Sequence, residues 1–384
     1  MKFLLFLLVS LVFCSCSSPS GKEMPISSDI PVTSYIQDFE HLHIDTPDGY
    51  APVNFGYQTG QWFPYMQYEE YMYGRTAEEF RSAVRERFTQ AKNNGINTVY
   101  LHIHPNGDAY YESEIFPEGV FLDGDYDPLA IMLEEAHKLG LSAHGWINPL
   151  RCQTAQQMAE LPDDFIIKKW TGNKEHPVAK LVGDRWYLDP SYSETVELLS
   201  DCVSELLENY ELDGIHIDDY FYPTTDESFD SEEFQKSGRT DLTQWRLSNC
   251  TRLVRAIYNT VKSYDNRILF GISPQGNIEA NYTSQYADVK LWAGTEGYCD
   301  YIVPQIYFGF ENAVCPFEPT LRRWEELRGN SQAKLIIGLA AYKQGKYDKW
   351  AGTAGENEWI DNPDIISRQI ELVKSSSADG YALY

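Results

Sequence analysis

Short apolar runs alternate with amphipathic segments along most of the chain. The amphipathic segment 76–95 starts with Thr76 and Glu79 at capping-box spacing and ends in glycine, so it is predicted to be a helix. Segment 127–140 starts with Asp127 followed by proline and is also predicted to be a helix. Apolar runs that alternate with helices in this way are typical of a parallel sheet built from β-α units.

The number of strands narrows the fold further. The predicted strands are 62–70, 96–105, 141–149, 212–223, 267–274, 300–307, 334–343 and 379–384. Eight β-α units favour an α/β fold with a single (β/α)8 TIM-type barrel over residues 60–384. The alternative is an open doubly wound sheet, but no GxGxxG or P-loop motif follows any of the predicted strands.

Two parts of the chain depart from the regular alternation. A long excursion, 152–188, follows the third predicted strand and is long enough to form a lid or a cleft wall. No helix follows the eighth predicted strand. We therefore expect the closing helix of the barrel to be missing or to be replaced by segment 25–60.

The first residues have a composition of their own. Residues 1–16, MKFLLFLLVSLVFCSC, combine one lysine, an apolar run too short to span a bilayer, and small residues that end in cysteine. Cys16 fits a lipoprotein cleavage site at which the new terminal cysteine carries the lipid; a plain cleaved signal is the alternative. Residues 17–59 begin as a polar tether. We expect an exported protein anchored to a membrane through Cys16, on the periplasmic face or the cell surface.

Charge and composition restrict the partners. A formal net charge of -26 repels phosphate backbones, so no nucleic acid partner is expected. Aromatic residues make up 14% of the chain, which fits either a Tyr-rich core and surface or a cleft whose rings stack on sugars. The chain has no HExxH, GxSxG or Cys/His cluster, so neither a metal nor a cofactor is expected. The five cysteines after Cys16 are predicted to be buried single thiols, with one disulfide as the alternative.

Polar and aromatic side chains gather where the predicted strands end. Because the carboxyl ends of barrel strands form the active-site mouth, this concentration points to a functional site. The residues expected there are His104, Asp108, Trp146, Asn148, Arg151, His216, Asp218, Asp219, Gln305 and Tyr307.

The fourth predicted strand, LDGIHIDDYFYP, carries two adjacent carboxylates. Side chains alternate along a strand, so His216 and Asp218 are expected to point into the barrel, and the intervening isoleucines suit the face toward the helices. Asp219 follows where the strand turns into a loop. Because two nearby carboxylates repel each other, one of them keeps its proton to higher pH. Two carboxyl groups with different pKa values suit general acid/base catalysis at a glycosidic bond. The alternative is that Asp219 only caps the loop, as Asp213 is expected to cap the turn before the strand.

Six motifs, in this order along the chain, resemble the bacterial glycosyl-hydrolase-like lipoproteins of family ten. They are HPNGDAYYESE (104–114), YDPLAIMLEEAHKLGLSAHGWINPLR (126–151), YLDPSYSETVELL (187–199), DGIHIDDYFYP (213–223), FGISPQGN (270–277) and DYIVPQIYF (300–308). The resemblance covers roughly residues 60–384 and implies a β/α barrel; the family includes a glycosidase that cleaves peptidoglycan glycan strands stripped of their stem peptides. The resemblance implies cleft positions for Asp108, Asn148, Arg151, Asp218, Asp219, Tyr222 and Gln305.

Two positions depart from related patterns. Many members of the family have arginine at the start of an R-P-x-G-D motif, where this chain has His104, so the subsite contacts are expected to differ. The fourth strand also resembles the chitinase pattern DGxDxDxE, but Tyr220 stands where that pattern has its catalytic glutamate. This difference argues against a chitinase mechanism.

These features together predict a glycoside hydrolase, and the family resemblance implies peptidoglycan glycan strands as its substrate. Asp218 is the expected nucleophile or base and Asp219 its carboxylate partner, while Asp108 or Asp189 could supply the acid instead. The predicted substrate contacts include polar groups for sugar hydroxyl or N-acetyl groups: Asn148, Arg151, Gln305 and Tyr307. Ring faces are expected from Trp146, Tyr220 and Tyr222, and further contacts from His104, His216, Asp108 and Asp189. The alternatives are a sugar-binding lipoprotein without turnover and a glycosidase for dietary or host polysaccharide.

Overall fold

The structure, a computed structural model, describes residues 50–384. The expectations for the signal segment 1–16, for lipidation of Cys16 and for most of the tether lie outside the described residues and stay predictions. Among the helices of the described range, none combines the length and the apolar character needed to cross a membrane.

Eight parallel strands close into a barrel, which confirms the predicted architecture. The strands of the described residues are β1 Gln58–Phe63, β2 Thr98–His104, β3 Ser142–Ile147, β4 Arg151–Thr154, β5 Ala179–Val182, β6 Arg185–Leu188, β7 Gly214–Ile217, β8 Leu269–Ile272, β9 Tyr301–Ile302, β10 Lys334–Leu339 and β11 Gly380–Leu383. Their order around the barrel is β1, β11, β10, β9, β8, β7, β3 and β2.

Helices surround the barrel and connect its strands. They are α1 Tyr68–Tyr71, α2 Ala77–Asn93, α3 Pro128–Lys138, α4 Ala155–Glu160, α5 Ile166–Gly172, α6 Ser193–Asn209, α7 Ser231–Ser237, α8 Leu242–Tyr264, α9 Ile278–Ala280, α10 Val289–Gly294, α11 Phe317–Arg328, α12 Glu358–Asp361 and α13 Ile365–Lys374. The predicted caps are present: Thr76 and Glu79 form a capping box before α2, and Asp127 accepts the Ala130 N–H at the start of α3.

The first strand differs from the prediction. It was expected at 62–70, but β1 ends at Phe63, and the residues that follow form short helical turns ending in α1. Pro64 follows β1 directly and has no N–H to donate to a neighbouring strand, which accounts for the end of the strand there. Tyr68 and Tyr71 of α1 are buried in the core outside the barrel.

The excursion after the third barrel strand is confirmed and has a structure of its own. Strands β4, β6 and β5 pair in that order as a small antiparallel sheet, and helices α4 and α5 lie between β4 and β5 in the chain. Thr154 and Gln157 form a capping box that starts α4 directly after β4.

Residues 50–57 contact the end of the barrel opposite the mouth. The Tyr50 hydroxyl and the Val53 N–H each donate to Oδ1 of Asp213 over 2.5 Å, and the Ala143 N–H donates to its Oδ2 over 2.7 Å. Asp213, directly before β7, therefore has a structural role, but its carboxylate links segments far apart in the chain, whereas sequence analysis expected it to cap the turn before the strand. The described cysteines are all free thiols and buried, also as predicted.

The barrel interior is aromatic and tightly filled. Trp62, Tyr100, Trp146 and Tyr301 belong to one buried cluster inside the barrel, whereas the isoleucines of β7 pack in the larger core beneath the helices. A Cβ at Gly271 would lie 1.9 Å from the Tyr301 ring, so only glycine leaves room for this ring. The alternation predicted for β7 is therefore confirmed.

Candidate active site

Two adjacent carboxyl groups, Asp218 and Asp219, lie directly after β7; we call them the dyad. The Asp219 N–H donates to Oδ1 of Asp218 over 2.7 Å, and the Gln305 amide donates to the same oxygen over 2.8 Å. Gln305 follows β9 and also donates to the carbonyl of Ser273, after β8, over 3.0 Å. Groups that follow three neighbouring strands thus fix Asp218 at the carboxyl ends of the barrel strands, where active sites of this fold lie.

Both carboxyl groups of the dyad keep a proton to higher pH than an isolated aspartate does. Burial, and then the negative charge of Asp219, raise the pKa of Asp218 well above its usual range. Burial also raises the pKa of Asp219, but the hydrogen bond from the Asp218 carboxyl opposes that rise. The two carboxyl groups therefore titrate together, and above the usual pKa of aspartate one proton is shared between them over a range of pH. Sequence analysis expected Asp218 to be the nucleophile or base and Asp219 to be its carboxylate partner, and these catalytic roles stay predictions.

A π-helical turn, Asn281–Gln285, supplies a further partner of Asp219. The Gln285 amide donates to the Asp219 carbonyl oxygen over 2.5 Å and lies 3.4 Å from Oδ2 of the same residue. The turn ends at Tyr286, whose φ of 53° is uncommon for a residue other than glycine. Turns of this wide type occur frequently at functional sites. Sequence analysis missed Gln285 because no residue pattern marks a π-helical turn.

A chain of hydrogen bonds between buried side chains forms the floor of the site. The Trp62 indole donates to Nε2 of His216 over 3.2 Å, which leaves Nδ1 of His216 to donate to the Tyr301 hydroxyl over 3.1 Å. That hydroxyl then donates to Nδ1 of His144 over 2.6 Å. Burial lowers the pKa of both histidines, so both rings stay neutral at physiological pH. His216 points into the barrel as predicted, but its contacts are with Trp62 and Tyr301 below the dyad.

Aromatic rings and one cation surround the dyad. The Tyr307 and Tyr384 rings stack with their centroids 5.8 Å apart. Burial is the main cause of the raised pKa of both hydroxyls, and the charge of Asp218 adds to it. The Arg151 guanidinium lies 4.8 Å from the centroid of the Tyr220 ring. Tyr220, Tyr307 and Arg151 were expected here; Tyr384 was not, although the alternation of β11 places it on the same inward face as the buried Ala382.

Asn148 and Trp146 support each other inside the barrel. The Asn148 amide donates to the Pro105 carbonyl oxygen over 2.8 Å, and its Oδ1 accepts from the Trp146 indole over 3.2 Å. The Trp146 ring stacks on His102, which sequence analysis did not select, with centroids 3.5 Å apart. Asn148 was expected to hold a sugar hydroxyl or N-acetyl group; in the structure it is fully buried and orients Trp146.

His104 and Asp108 lie under the loop that follows β2. The His104 ring packs against Phe116 with centroids 4.3 Å apart and is buried, so it is a packing residue in this structure and makes no open subsite. Asp108 accepts the Asn106 N–H over 2.8 Å. Burial raises the pKa of Asp108 to about 6, although backbone hydrogen bonds and nearby arginines, Arg151 among them, oppose the rise. Asp108 is thus another carboxyl group that holds its proton to a higher pH than usual.

Asp189 and Tyr222 differ from the expectation of direct sugar contacts, because other side chains enclose both. The Lys180 ammonium, on β5, lies 2.7 Å from Oδ2 of the fully buried Asp189. The Arg246 guanidinium, on α8, lies 5.1 Å from the centroid of the Tyr222 ring, whose hydroxyl accepts from Asn249 over 3.2 Å. Tyr222 is only 3% exposed and offers no open ring face.

Two relatives are similar to most of this chain. Glycosyl hydrolase DigH of Escherichia coli K12 is 30% identical over 322 residues, which cover 76% of this chain and 72% of that protein. Glycosyl hydrolase YngK of Bacillus subtilis strain 168 is 32% identical over 317 residues, which cover 73% of this chain and 59% of that protein.

A solved structure supports the barrel. The PgaB (BpsB) glycoside hydrolase domain from Bordetella bronchiseptica superposes with a TM-score of 0.55 at 14% identity and covers 85% of this chain and 93% of that domain. At the level of the family, the relatives confirm the predicted enzyme class, a glycoside hydrolase. Residues 72–352 match the family described as glycosyl hydrolase-like 10, and the chain therefore belongs to that family.

Proposed function

We propose that this protein hydrolyses glycosidic bonds in peptidoglycan glycan strands that lack stem peptides, with the dyad as its catalytic centre. The observation that carries the proposal is a pair of adjacent carboxyl groups, Asp218 and Asp219, that hydrogen bonds from the Asp219 N–H and the Gln305 amide hold at the ends of the barrel strands. The rings of Tyr220, Tyr307 and Tyr384 around it are suited to stack on sugars. The motif resemblance to a family that includes such a glycosidase supports the choice of substrate.

The contact between the two carboxyl groups restricts the mechanism. Retaining glycosidases place their carboxyl groups about 5–5.5 Å apart and inverting ones about 6.5–9.5 Å apart, whereas a hydrogen bond between Asp218 and Asp219 brings them closer than either. The dyad therefore acts on one side of the scissile bond, and a different group must attack the anomeric carbon. The sugars of peptidoglycan carry an acetamido group beside that carbon, and its carbonyl oxygen is a suitable internal nucleophile.

Each residue of the dyad then has a separate task. Asp218 gives its proton to the glycosidic oxygen as the bond from that oxygen to the anomeric carbon breaks. The acetamido oxygen forms the new bond to the anomeric carbon, and the Asp219 carboxylate stabilises the positive charge that develops on the acetamido nitrogen. Water opens this cyclic intermediate, and its proton returns to Asp218.

The reaction is tested with residues 17–384 and peptide-free peptidoglycan strands, with new reducing ends measured by mass spectrometry. We expect products from the parent and from Asp163→Asn, which changes an exposed aspartate in the excursion. We expect none from Asp218→Asn with its circular dichroism spectrum unchanged. Full activity of Asp218→Asn would overturn the assignment of the dyad. Equal cleavage of strands whose acetamido groups have been converted to amines would overturn the internal nucleophile.

Two other functions are outcomes of the same experiment. Saturable binding of the strands by the parent and by Asp218→Asn, with no products from either, would assign the protein to the sugar-binding class. Cleavage of dietary or host polysaccharides but not of peptidoglycan strands would move the substrate class while keeping the reaction.

We further propose that the protein is exported and lipid-anchored, which would place it where peptidoglycan lies. The apolar run of residues 1–16 and its terminal Cys16 support this location. Cys16→Ser should move the protein from the membrane fraction to the soluble fraction of the producing cells. Retention of this variant in the membrane fraction would contradict the anchor.

A further inference from the structure

The loop between β10 and α13 concentrates exposed aromatic rings and lysines. Its first part, Tyr342–Trp350, has the sequence YKQGKYDKW; we call it the lysine-aromatic loop. Tyr342, Tyr347 and Trp350 are 44%, 56% and 54% exposed. Three large aromatic side chains so exposed within nine residues need an explanation, because buried packing does not account for them.

Internal bonds hold this loop against the mouth of the barrel. The Lys343 ammonium donates to the Tyr307 carbonyl oxygen over 2.8 Å and to Oδ2 of the buried Asp348 over 2.7 Å. Oδ1 of Asp348 accepts the Trp350 N–H over 3.2 Å, and the Tyr347 hydroxyl donates to Glu356 over 2.9 Å. The exposed rings are therefore carried on a fixed loop.

The lysine-aromatic loop is continuous with the candidate active site. The Tyr342 ring centroid lies 6.0 Å from that of Tyr307 and 5.6 Å from that of Tyr384. Tyr307 and Tyr384 are the stacked rings whose hydroxyls respond to the charge of Asp218. An unbroken series of rings thus leads from the dyad to Tyr342 and onto the loop.

Two lysines of the loop give it a local positive charge. The Lys346 ammonium lies 5.8 Å from the Tyr342 ring centroid, and the Lys349 ammonium lies 4.7 Å from that of Trp350. Both lysines are exposed, and neither is within ion-pair distance of a carboxylate of residues 50–384. In a chain with a net charge of -26, two exposed cations that form no ion pair within residues 50–384, each beside an exposed ring, are a distinct chemical surface.

We propose that the lysine-aromatic loop is an outer subsite for a sugar unit that carries a carboxylate. Tyr342, Tyr347 or Trp350 stacks on the sugar ring, and Lys346 and Lys349 attract the carboxylate. The proposal rests on the proposed function in one respect, which is that the glycan extends from the dyad along the rings. A glycan strand whose stem peptides have been removed presents free carboxylates of this kind, whereas chitin with the same backbone has none.

The test measures binding and not turnover, so that it is independent of catalysis. Peptide-free peptidoglycan oligomers and chitin oligomers of the same length are titrated by calorimetry into residues 17–384 carrying Asp218→Asn. In this background, loss of both loop charges (Lys346→Ala with Lys349→Ala) should weaken binding of the anionic oligomer about three- to tenfold, as expected for two exposed charge contacts. Binding of chitin oligomers should change less than about twofold, because they carry no charge.

A matched control removes two exposed lysines elsewhere, Lys290 before the middle of α10 and Lys374 at the end of α13. This control should leave both affinities unchanged. Trp350→Ala should weaken binding of both oligomers, since stacking does not depend on charge, and added salt should reduce only the preference for the anionic oligomer.

The outcomes separate the subsite from the reaction. Equal affinity of the Asp218→Asn protein for the two oligomers would overturn the subsite. So would an unchanged affinity for the anionic oligomer after loss of Lys346 and Lys349, or the absence of binding. Charge-dependent binding without any product from the active parent would keep the subsite and remove the proposed hydrolysis. Products from the active parent, together with binding that does not depend on charge, would keep the proposed hydrolysis and remove the subsite.

Discussion

Replacing Asp108 by asparagine should increase the stability of the protein at neutral pH relative to its stability in acid. Asp108 is 2% exposed, and burial raises the pKa of its carboxyl group from 3.8 to about 6. Between these two values the folded protein keeps a proton that the unfolded chain has lost, so the free energy of unfolding falls as pH rises. Asparagine has no such proton to lose, and it keeps an oxygen that can accept the Asn106 N–H.

The size of the effect follows from the pKa values. A rise from 3.8 to about 6 is roughly two units, and each unit corresponds to about 1.4 kcal/mol, which gives about 3 kcal/mol. The difference in unfolding free energy between Asp108→Asn and the parent should therefore shift by about 3 kcal/mol in favour of the variant between about pH 4 and about pH 7. Asp218 and Asp219 titrate in both proteins, so their contribution to the unfolding free energy cancels in this difference.

Urea unfolding followed by tryptophan fluorescence at a series of pH values measures this difference. Glu135→Gln is the control of opposite sign, because the hydrogen bond from Arg85 is the main cause that lowers the pKa of Glu135 to about 2. Glu135 contributes stability above its unfolded pKa and loses it as pH falls, so its replacement should be most destabilising at neutral pH. The reasoning would be refuted if the difference in unfolding free energy between Asp108→Asn and the parent did not change with pH while the Glu135→Gln control behaved as stated. Such a result would mean that burial does not raise the pKa of Asp108.

Three further substitutions test other contacts. Gln285→Ala should lower kcat about tenfold with little change in KM, since it removes a partner that positions Asp219 and not a sugar contact; an unchanged kcat in steady-state assays would contradict this. Arg246→Met should cost about 3–5 kcal/mol in urea unfolding because it leaves the buried Asp230 unpaired, and a cost near zero would show that the pair is dispensable. Tyr301→Phe should cost about 1–3 kcal/mol for each histidine nitrogen left without a partner, and thermal unfolding at an unchanged Tm would refute the interior hydrogen bonds.

The sequence predicts the barrel and the direction of its fourth strand because both depend on periodicity. Eight apolar runs separated by amphipathic helices are compatible with few folds. The alternation of side chains along β7 determines which of them enter the barrel. The first strand was misplaced for a local reason: residues 62–70 are rich in aromatics that suit a strand, but Pro64 ends the hydrogen bonding after Phe63.

The partners of the candidate site residues could not be predicted in the same way. A position at a strand end places a residue near the mouth but does not say which side chains from other elements cover it. Lys180 reaches Asp189 from the excursion, and Arg246 covers Tyr222 from a helix. Both contacts depend on packing between segments far apart in the chain, and residue spacing carries no information about them.

The pKa of Asp218 depends on the kind of side chain that positions it. The hydrogen bond from Gln305 lowers the pKa of Asp218, but by less than burial and the charge of Asp219 raise it. A lysine at position 305 would place a full positive charge against the carboxyl group and favour its ionised form. Neutral amides at Gln305 and Gln285 instead fix the two carboxyl groups without supplying a counter-charge. The Arg151 guanidinium, whose pKa is influenced by the charge of Asp218, lies against the Tyr220 ring. The proposed transfer of a proton from Asp218 therefore depends on uncharged positioning groups, because the same geometry made with cations would favour loss of that proton before the reaction.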